Sequence, residues 1–474
     1  MNQFSKVACF ILASAFFSQS GYAQSPPVSI SLNDLAEFRF PGKNWVLASD
    51  ATASLTAANV MKPVSGTGVV VNTKSGTNLI TIQEYGDVEI DLDFMVAKGS
   101  ATGIWLQGRY NIQLSDSWTK TSPTYADMGG IGQRSNNPSS GIEGMAPMMN
   151  VARAPGLWQH LKVRFAAPKF NASGVKTSNA RFEEVYVNGV LVQQQAEVAA
   201  PSQPAMYSDE KAVGPLVLQG SGGTVAFRNI RLAPVVAIQA PVAVGPPRRG
   251  GVRIVNPILL DPSNEPYLLR GYLNYGTKKR THVISVGSPN QTNYSYDLKQ
   301  GALLQVWRGR FVDVTEMWEA RGEPQLEKPN GSVVILSGAP ALASLADANA
   351  VWPDSIAFDD LNNKGYVLDQ ARNPTFKYVF MGANVEDKIS ISMNGQSIVR
   401  EISVSNAPAN FYCRVAAAGK IESVGKGLYA IDGKSHYIQV DARFKPTLRK
   451  TSSGQELITS IGNSAGPLTY SIIW

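Results

Sequence analysis

The chain has 474 residues, of which 44% are hydrophobic and 17% charged, with a formal net charge of +7. That length exceeds what one hydrophobic core ordinarily supports, so two domains are expected, and the apolar content excludes a disordered chain. The basic excess is mild and clusters only in "PRRG" and "TKKR", which gives nucleic-acid binding no support.

The N-terminus carries Lys6, the apolar run "VACFILASAFF" and then the small residues of "SGYA". This pattern predicts a secretory signal over residues 1–23, cleaved near Ala23, and a periplasmic or secreted mature protein. The run is too short to span a bilayer, and no later stretch offers the roughly 18 uninterrupted apolar residues that a spanning helix needs. Losing the signal removes Lys6 alone from the charge count, leaving 42 Lys+Arg against 36 Asp+Glu, or +6. Cys9 leaves with the signal. Cys413, in the alternating "FYCRVA", is then the sole thiol and reads as buried and inert.

Period-two alternation follows in "DVEIDLDFMV", "GIWLQGRYNIQL", "HLKVRF" and "VAFRNIRL", and "VYVNGVLVQ" holds an Asn188-Gly189 hairpin turn. A Pro/Ala/Val/Gly stretch without period marks a linker at residues 234–251, separating a first domain, 24–233, from a second, 252–474. The second half alternates again in "YLLRGYLNY", "THVISVG", "ALLQVWRGRF", "FYCRVAA", "HYIQVDARF" and "LTYSIIW"; only "ALASLADANAVW" looks helical. Many short strands between Gly-rich and Pro-rich turns predict an all-β protein of two β-sandwich domains.

Read as one strand, "GIWLQGRYNIQL" puts Ile104, Leu106, Tyr110, Ile112 and Leu114 on one face and Trp105, Gln107, Arg109, Asn111 and Gln113 on the other. Polar residues facing water explain the alternation but not a tryptophan among them.

Together with "GGIGQR", "GIEGMAPMMNVARAPGLWQHLKVRFAAPKF" and "GPLVLQGSGGTVAFRNIRL", this stretch resembles the bacterial 3-keto-disaccharide hydrolase domain family, also described as 3-keto-glucoside 1,2-lyase and 3-keto-2-hydroxy-glucal hydratase. The resemblance covers roughly residues 30–233. It implies a concanavalin-like jelly roll, a concave sheet that receives sugar, and processing of oxidised glucosides. On that footing Trp105, Arg109, Asn111 and Gln113 are the substrate-binding candidates. The stretch "GALLQVWRGRFVDVTEMWEARGEPQ" in the second half looks like a module that accompanies this domain or sugar-dehydrogenase-like cytochromes in bacterial proteins, a resemblance that implies no function for it.

The implied chemistry needs a base near the sugar's C2 and a donor or cation for the enolate oxygen, either of which a carboxylate-held divalent metal could assist. Glu143, in the Gly-rich "GIEGMAP", and Asp116, in "SDSW", match family positions and are the catalytic or metal-ligand candidates. A turn-capping role is the alternative for Asp116, and loop solvation for Asp127. Glu89, Asp91 and Asp93 read as a solvated carboxylate face.

The departures from the family are as informative. Asn111 stands where the family often has Glu. Met145, Ser221, Gly222 and Gly223 stand around positions where many members carry His. Histidine suits proton transfer and metal ligation, so its loss weakens the case for the family's chemistry. The three histidines, His160, His282 and His436, have no metal-ligand spacing, and His160 beside Trp158 reads as structural. Trp307 and Arg308, with Trp318 and Arg321, read as core indole and solvent cation, with sugar contact as the alternative. Two readings stay open: an exported carbohydrate-active enzyme, favoured by the intact loops "GIEGMAP" and "MMNVARAPGLWQ", and a carbohydrate-binding protein without turnover, favoured by the missing Glu and His. A third is an envelope scaffold that contacts a partner through its second domain.

Overall fold

The computed structural model describes residues 27–132, 144–235, 256–319, 325–347, 349–357, 359–462 and 466–474. The expected signal, most of the linker, Glu143 and Arg321 lie outside the described residues. Within them the chain is almost wholly antiparallel β, with one four-residue helix, Thr315–Trp318.

Residues before the linker build two sheets. The larger runs Val190–Val198, Ala180–Val187, Gln159–Ala166, Val88–Val96, Val225–Pro234, Met61–Asn72 and Trp45–Ala53, with Val28–Ser29 alongside Val225–Pro234. The smaller runs Phe38–Arg39, Leu79–Tyr85, Gly214–Leu218, Ala101–Leu106 and Tyr110–Ser115. Alternation aims Phe94, Phe165, Phe182 and Phe227 of the first sheet at Ile104, Tyr110, Ile112 and Leu218 of the second, and all are fully buried. The Phe165 ring lies 5.4 Å from Tyr110 and 5.2 Å from Phe182. Truncating such a ring to alanine costs about 3–5 kcal/mol, so this layer holds the sandwich closed. Asn188 and Gly189 form the expected tight turn, with φ of 51° and 80° joining Val187 to Val190.

Two expectations are corrected here. The stretch read as one strand is a hairpin, Ala101–Leu106 against Tyr110–Ser115. Gln107 and Gly108 both take positive φ, 55° and 66°, and Arg109 N–H donates to Leu106 O, so the chain reverses where alternation predicted that it continues. Residue parity survives the reversal, because Trp105 pairs with Asn111 and Gly103 with Gln113. The predicted polar face therefore persists, folded back on itself. The segment expected to be helical instead forms Leu342–Ser344, paired with Phe411–Ala418. Leu342 enters the main core beside Cys413, whereas Ala343 enters a separate cluster with Trp352 and Ile458. Neighbouring residues buried on opposite sides require a strand, and this pairing overrides the helical propensity of the alanines.

After the linker three sheets share one core. A six-stranded sheet runs Leu259–Leu260, Ala302–Asp313, Thr292–Asp297, Lys278–Gly287 and Tyr267–Tyr275, with Lys328–Ile335 also on Ala302–Asp313. A four-stranded sheet contains Phe411–Ala418, and an eight-stranded sheet begins at Leu361–Leu368. Tyr296 stacks on Phe376 at 4.0 Å, and the buried Arg400–Asp387 pair, 2.6 Å, is satisfied by Tyr296 and Tyr470 hydroxyls. Cys413 is buried, and burial pushes its thiol up to about 12, which makes it inert. Trp307 is core as expected. Arg308 is not a solvent cation: it is buried, donates to Thr292 Oγ1 and Gly395 O, and lies over the Trp474 ring.

The two halves meet through "RAPGLWQ". Ala154 and Leu157 join the core of the second half, Tyr437 Oη donates to Pro155 O at 3.3 Å, and Trp158 N–H donates to Lys434 O. The buried Lys434 pairs with Asp50, which also accepts the Trp158 indole N–H. Gly156 has φ of +80°, and a Cβ there would stand 2.6 Å from Tyr437 Oη, so this docking turn demands glycine.

Candidate functional site

The smaller sheet turns its outer face away from the core, and there the polar row gathers. Gln219 N–H donates to Gly103 O, which sets Gln219 beside the Gly103–Gln113 pair, next to the Trp105–Asn111 pair. The Asn111 side chain crowds Gly103, where a Cβ would come within 2.6 Å of Asn111 Nδ2. The Trp105 indole N–H donates to Gln219 Oε1 at 3.4 Å, and Gln219 Nε2 donates to Ser221 Oγ at 3.0 Å. Asn111 Nδ2 donates to Ile104 O, Asn111 N–H donates to Ser202 Oγ, and Asn111 Oδ1 is buried without a partner. An unpaired buried carbonyl costs about 1–3 kcal/mol, and a ligand hydroxyl or a water would relieve it. Gln113 is half-buried, and its backbone is fixed by Gly129 and Gly130. Loops cover part of this face, held by Gln193 Nε2, which donates to Gly129, Met145 and Ala146 carbonyls.

The other candidates lie apart from this cluster or are engaged elsewhere. Arg109 is buried; it donates to Gln107 O at 2.7 Å and to Asp209 through both its carbonyl and its carboxylate, and it stacks on Tyr207 at 4.8 Å. It anchors the loop over the face. Gln107 sits in the turn and donates to Tyr85 O and Ala212 O. Asp116 accepts the Gly99 N–H at 2.9 Å, a turn-capping contact. Asp127 accepts from Lys120 and Thr124; burial pushes its carboxyl up, but these partners together hold it below the usual range. Glu210 accepts from Tyr110 and pairs with Lys176. Met145 bridges to Ile131 and packs on the core. Among the described residues no three His, Cys, Asp or Glu side chains are grouped to hold a metal ion, so the divalent metal has no fitting donor set there.

Of the loops that matched the family, "MMNVARAPGLWQ" has structural work. Asn150 ties it to Ser117 and Lys120, and its later residues dock the second half. The case for catalysis then rests on "GIEGMAP", whose Glu143 lies outside the described residues.

Sequence reasoning missed Gln219, Ser202 and Gln193. Parity in Gly214–Leu218 does aim Gln219 outward with Val217, but no sequence signal says that this strand lies beside Ala101–Leu106.

Fold and face together define a two-sheet β-sandwich bearing an indole and three carboxamides on one outer face. Residues 34–233 match the model of the 3-keto-alpha-glucoside-1,2-lyase-like domain family, so this stretch of the chain is similar to that domain. No curated protein matches the chain. Similar solved structures include three candidate glycosyl hydrolases of Parabacteroides distasonis ATCC 8503. One is 20% identical, with 46% of this chain and 95% of that chain covered and a TM-score of 0.32. A second is 19% identical, with 44% and 100% covered and a TM-score of 0.30. A third is 14% identical, with 44% and 88% covered and a TM-score of 0.25.

Proposed function

We propose that the chain is an exported protein of two domains, 24–233 and 252–474, whose first domain acts on 3-keto-glucosides held against the outer face of its smaller sheet. The observation that supports this reading is that strand pairing sets Trp105, Asn111, Gln113 and Gln219 on one face, with the Trp105 indole bonded to Gln219 and the Asn111 carboxamide against Gly103. An indole suits the C–H face of a pyranose, and carboxamides both donate to and accept from its hydroxyls. A ketone at C3 acidifies the C2 proton. A base removes that proton, the C2–H electrons form the C1=C2 bond, and the C1–O bond breaks with its electron pair leaving on the aglycone, which takes up a proton. Water then adds across the unsaturated ketone. Glu143 is the base in this reading, and the carboxamide N–H groups are the donors available to the enolate oxygen.

A second reading, carbohydrate binding without turnover, is favoured by one observation. The carboxylates bordering the face are committed: Asp116 to Gly99, Asp127 to Lys120, Asp209 to Arg109 and Glu210 to Tyr110. One experiment separates the readings. The mature protein, with and without added divalent metal, is incubated with a 3-keto-glucoside while the unsaturated keto-sugar is followed by absorbance and the aglycone by chromatography. Turnover that disappears in Glu143→Gln supports the enzyme. Binding without turnover supports the second reading.

A further inference from the structure

A second polar groove lies in the other half of the molecule. Tyr267–Tyr275 is the terminal strand of the six-stranded sheet and Leu361–Leu368 the terminal strand of the eight-stranded sheet. Residues near and along these two edges line a hollow of about 810 Å³ and an adjoining one of about 390 Å³, which share Leu268 and Tyr366. Volumes of this order suit a small-molecule or oligomeric ligand.

Two aromatic rings dominate it. Tyr267 is 46% exposed and Tyr366 43% exposed. Each packs against a buried phenylalanine, Tyr267 edge-on to Phe311 at 6.3 Å and Tyr366 edge-on to Phe376 at 5.9 Å. Backed in this way, the rings keep their orientation and lose little conformational freedom when something stacks on them.

Charge in the groove is balanced locally. Glu265 pairs with Arg372 at 3.4 Å and Asp261 with Arg310 at 2.5 Å, while Arg270 and Asn363 add one cation and one amide. No field here selects a polyanion, and neither hollow is lined by a histidine or cysteine. An added polypeptide strand is disfavoured by the edges themselves. Pro266 precedes one strand without an N–H, and the other carries Lys364 and a register shift at Gly365, whose φ is +86°. Such features twist or charge an edge against pairing.

We infer that this groove binds a neutral oligosaccharide, with sugar rings stacked on Tyr267 and Tyr366 and hydroxyls met by Asn363 and the Glu265–Arg372 pair. This site is separate from the face around Trp105 and does not depend on the reading of that face. The test is calorimetric titration of the full mature protein with maltohexaose, cellohexaose and laminarihexaose in turn. The expected result is that at least one binds, that Tyr267→Ala and Tyr366→Ala each weaken it at least tenfold, and that Tyr366→Phe stays within about threefold. The exposed Arg372→Ala, with little effect on folding, is expected to weaken binding as well. Failure of all three hexasaccharides to bind at millimolar concentration would overturn the proposal, as would undiminished binding by a folded Tyr267/Tyr366 double alanine variant.

Discussion

The two outer faces of the first sandwich are both polar by alternation, yet they are built differently. On the larger sheet Glu89, Asp91 and Asp93 meet Lys162, His160, Arg228 and Arg231 across neighbouring strands, at 2.7–3.4 Å, with most of these side chains a fifth to a half exposed. Each of these seven side chains has a partner of opposite type, which is how a solvated surface is kept neutral; such pairs contribute little each. On the smaller sheet charge gives way to amides and an indole that are buried or half-buried under loops, with two amide oxygens, of Gln107 and Asn111, unpaired. Alternation says only which residues point outward. Whether the outward face is surface or site depends on what those residues are and what covers them.

Variants that break this contrast rank by expected size. Arg109→Ala removes the clamp on the loop at 207–212 and is expected to cost about 2 kcal/mol, read as a Tm lowered by roughly 4–8 °C. Arg109→Lys should recover less than half of that, because the two-pronged contact to Asp209 needs a guanidinium. Gln113→Ala should leave stability within about 0.5 kcal/mol, because its side chain is half-exposed, while weakening sugar binding about tenfold in titration. The smallest effect is on the charged face. The hydrogen bond to Asp93, with the charges of Asp91 and Asp93, raises the His160 pKa above its ordinary value despite burial. A folded-state pKa raised above the unfolded value gives stability that is fully present below about pH 6.5 and is lost as pH climbs through the folded value. The Tm difference between the native chain and His160→Gln should therefore shrink between pH 6 and pH 8. Sugar affinity should stay flat over the same range, because amides do not titrate.

Much of this contrast was legible in the sequence. The carboxylate face of "DVEIDLDFMV" and the polar face of "GIWLQGRYNIQL" both follow from period two. The turn at Gln107-Gly108 was not, since a Gln-Gly pair inside an alternating run carries a weaker reversal signal than Asn188-Gly189. The outcome for the face was spared because the loop length keeps odd residues opposite odd residues. Gln219, Ser202 and the burial of Arg109 were illegible for another reason: each depends on which distant strand or loop lies alongside. His160, read as structural, is held on the charged lattice by Asp91 and Asp93, while Trp158 is covered by Arg228 at 4.0 Å.

The most direct measurement is a side-by-side calorimetric titration of a 3-keto-glucoside into the native protein, Gln113→Ala and Asp91→Asn. Affinity reduced about tenfold in Gln113→Ala and unchanged in Asp91→Asn is the predicted result. Unchanged affinity in Gln113→Ala together with weakened binding in Asp91→Asn would contradict the account, by moving the sugar to the charged face.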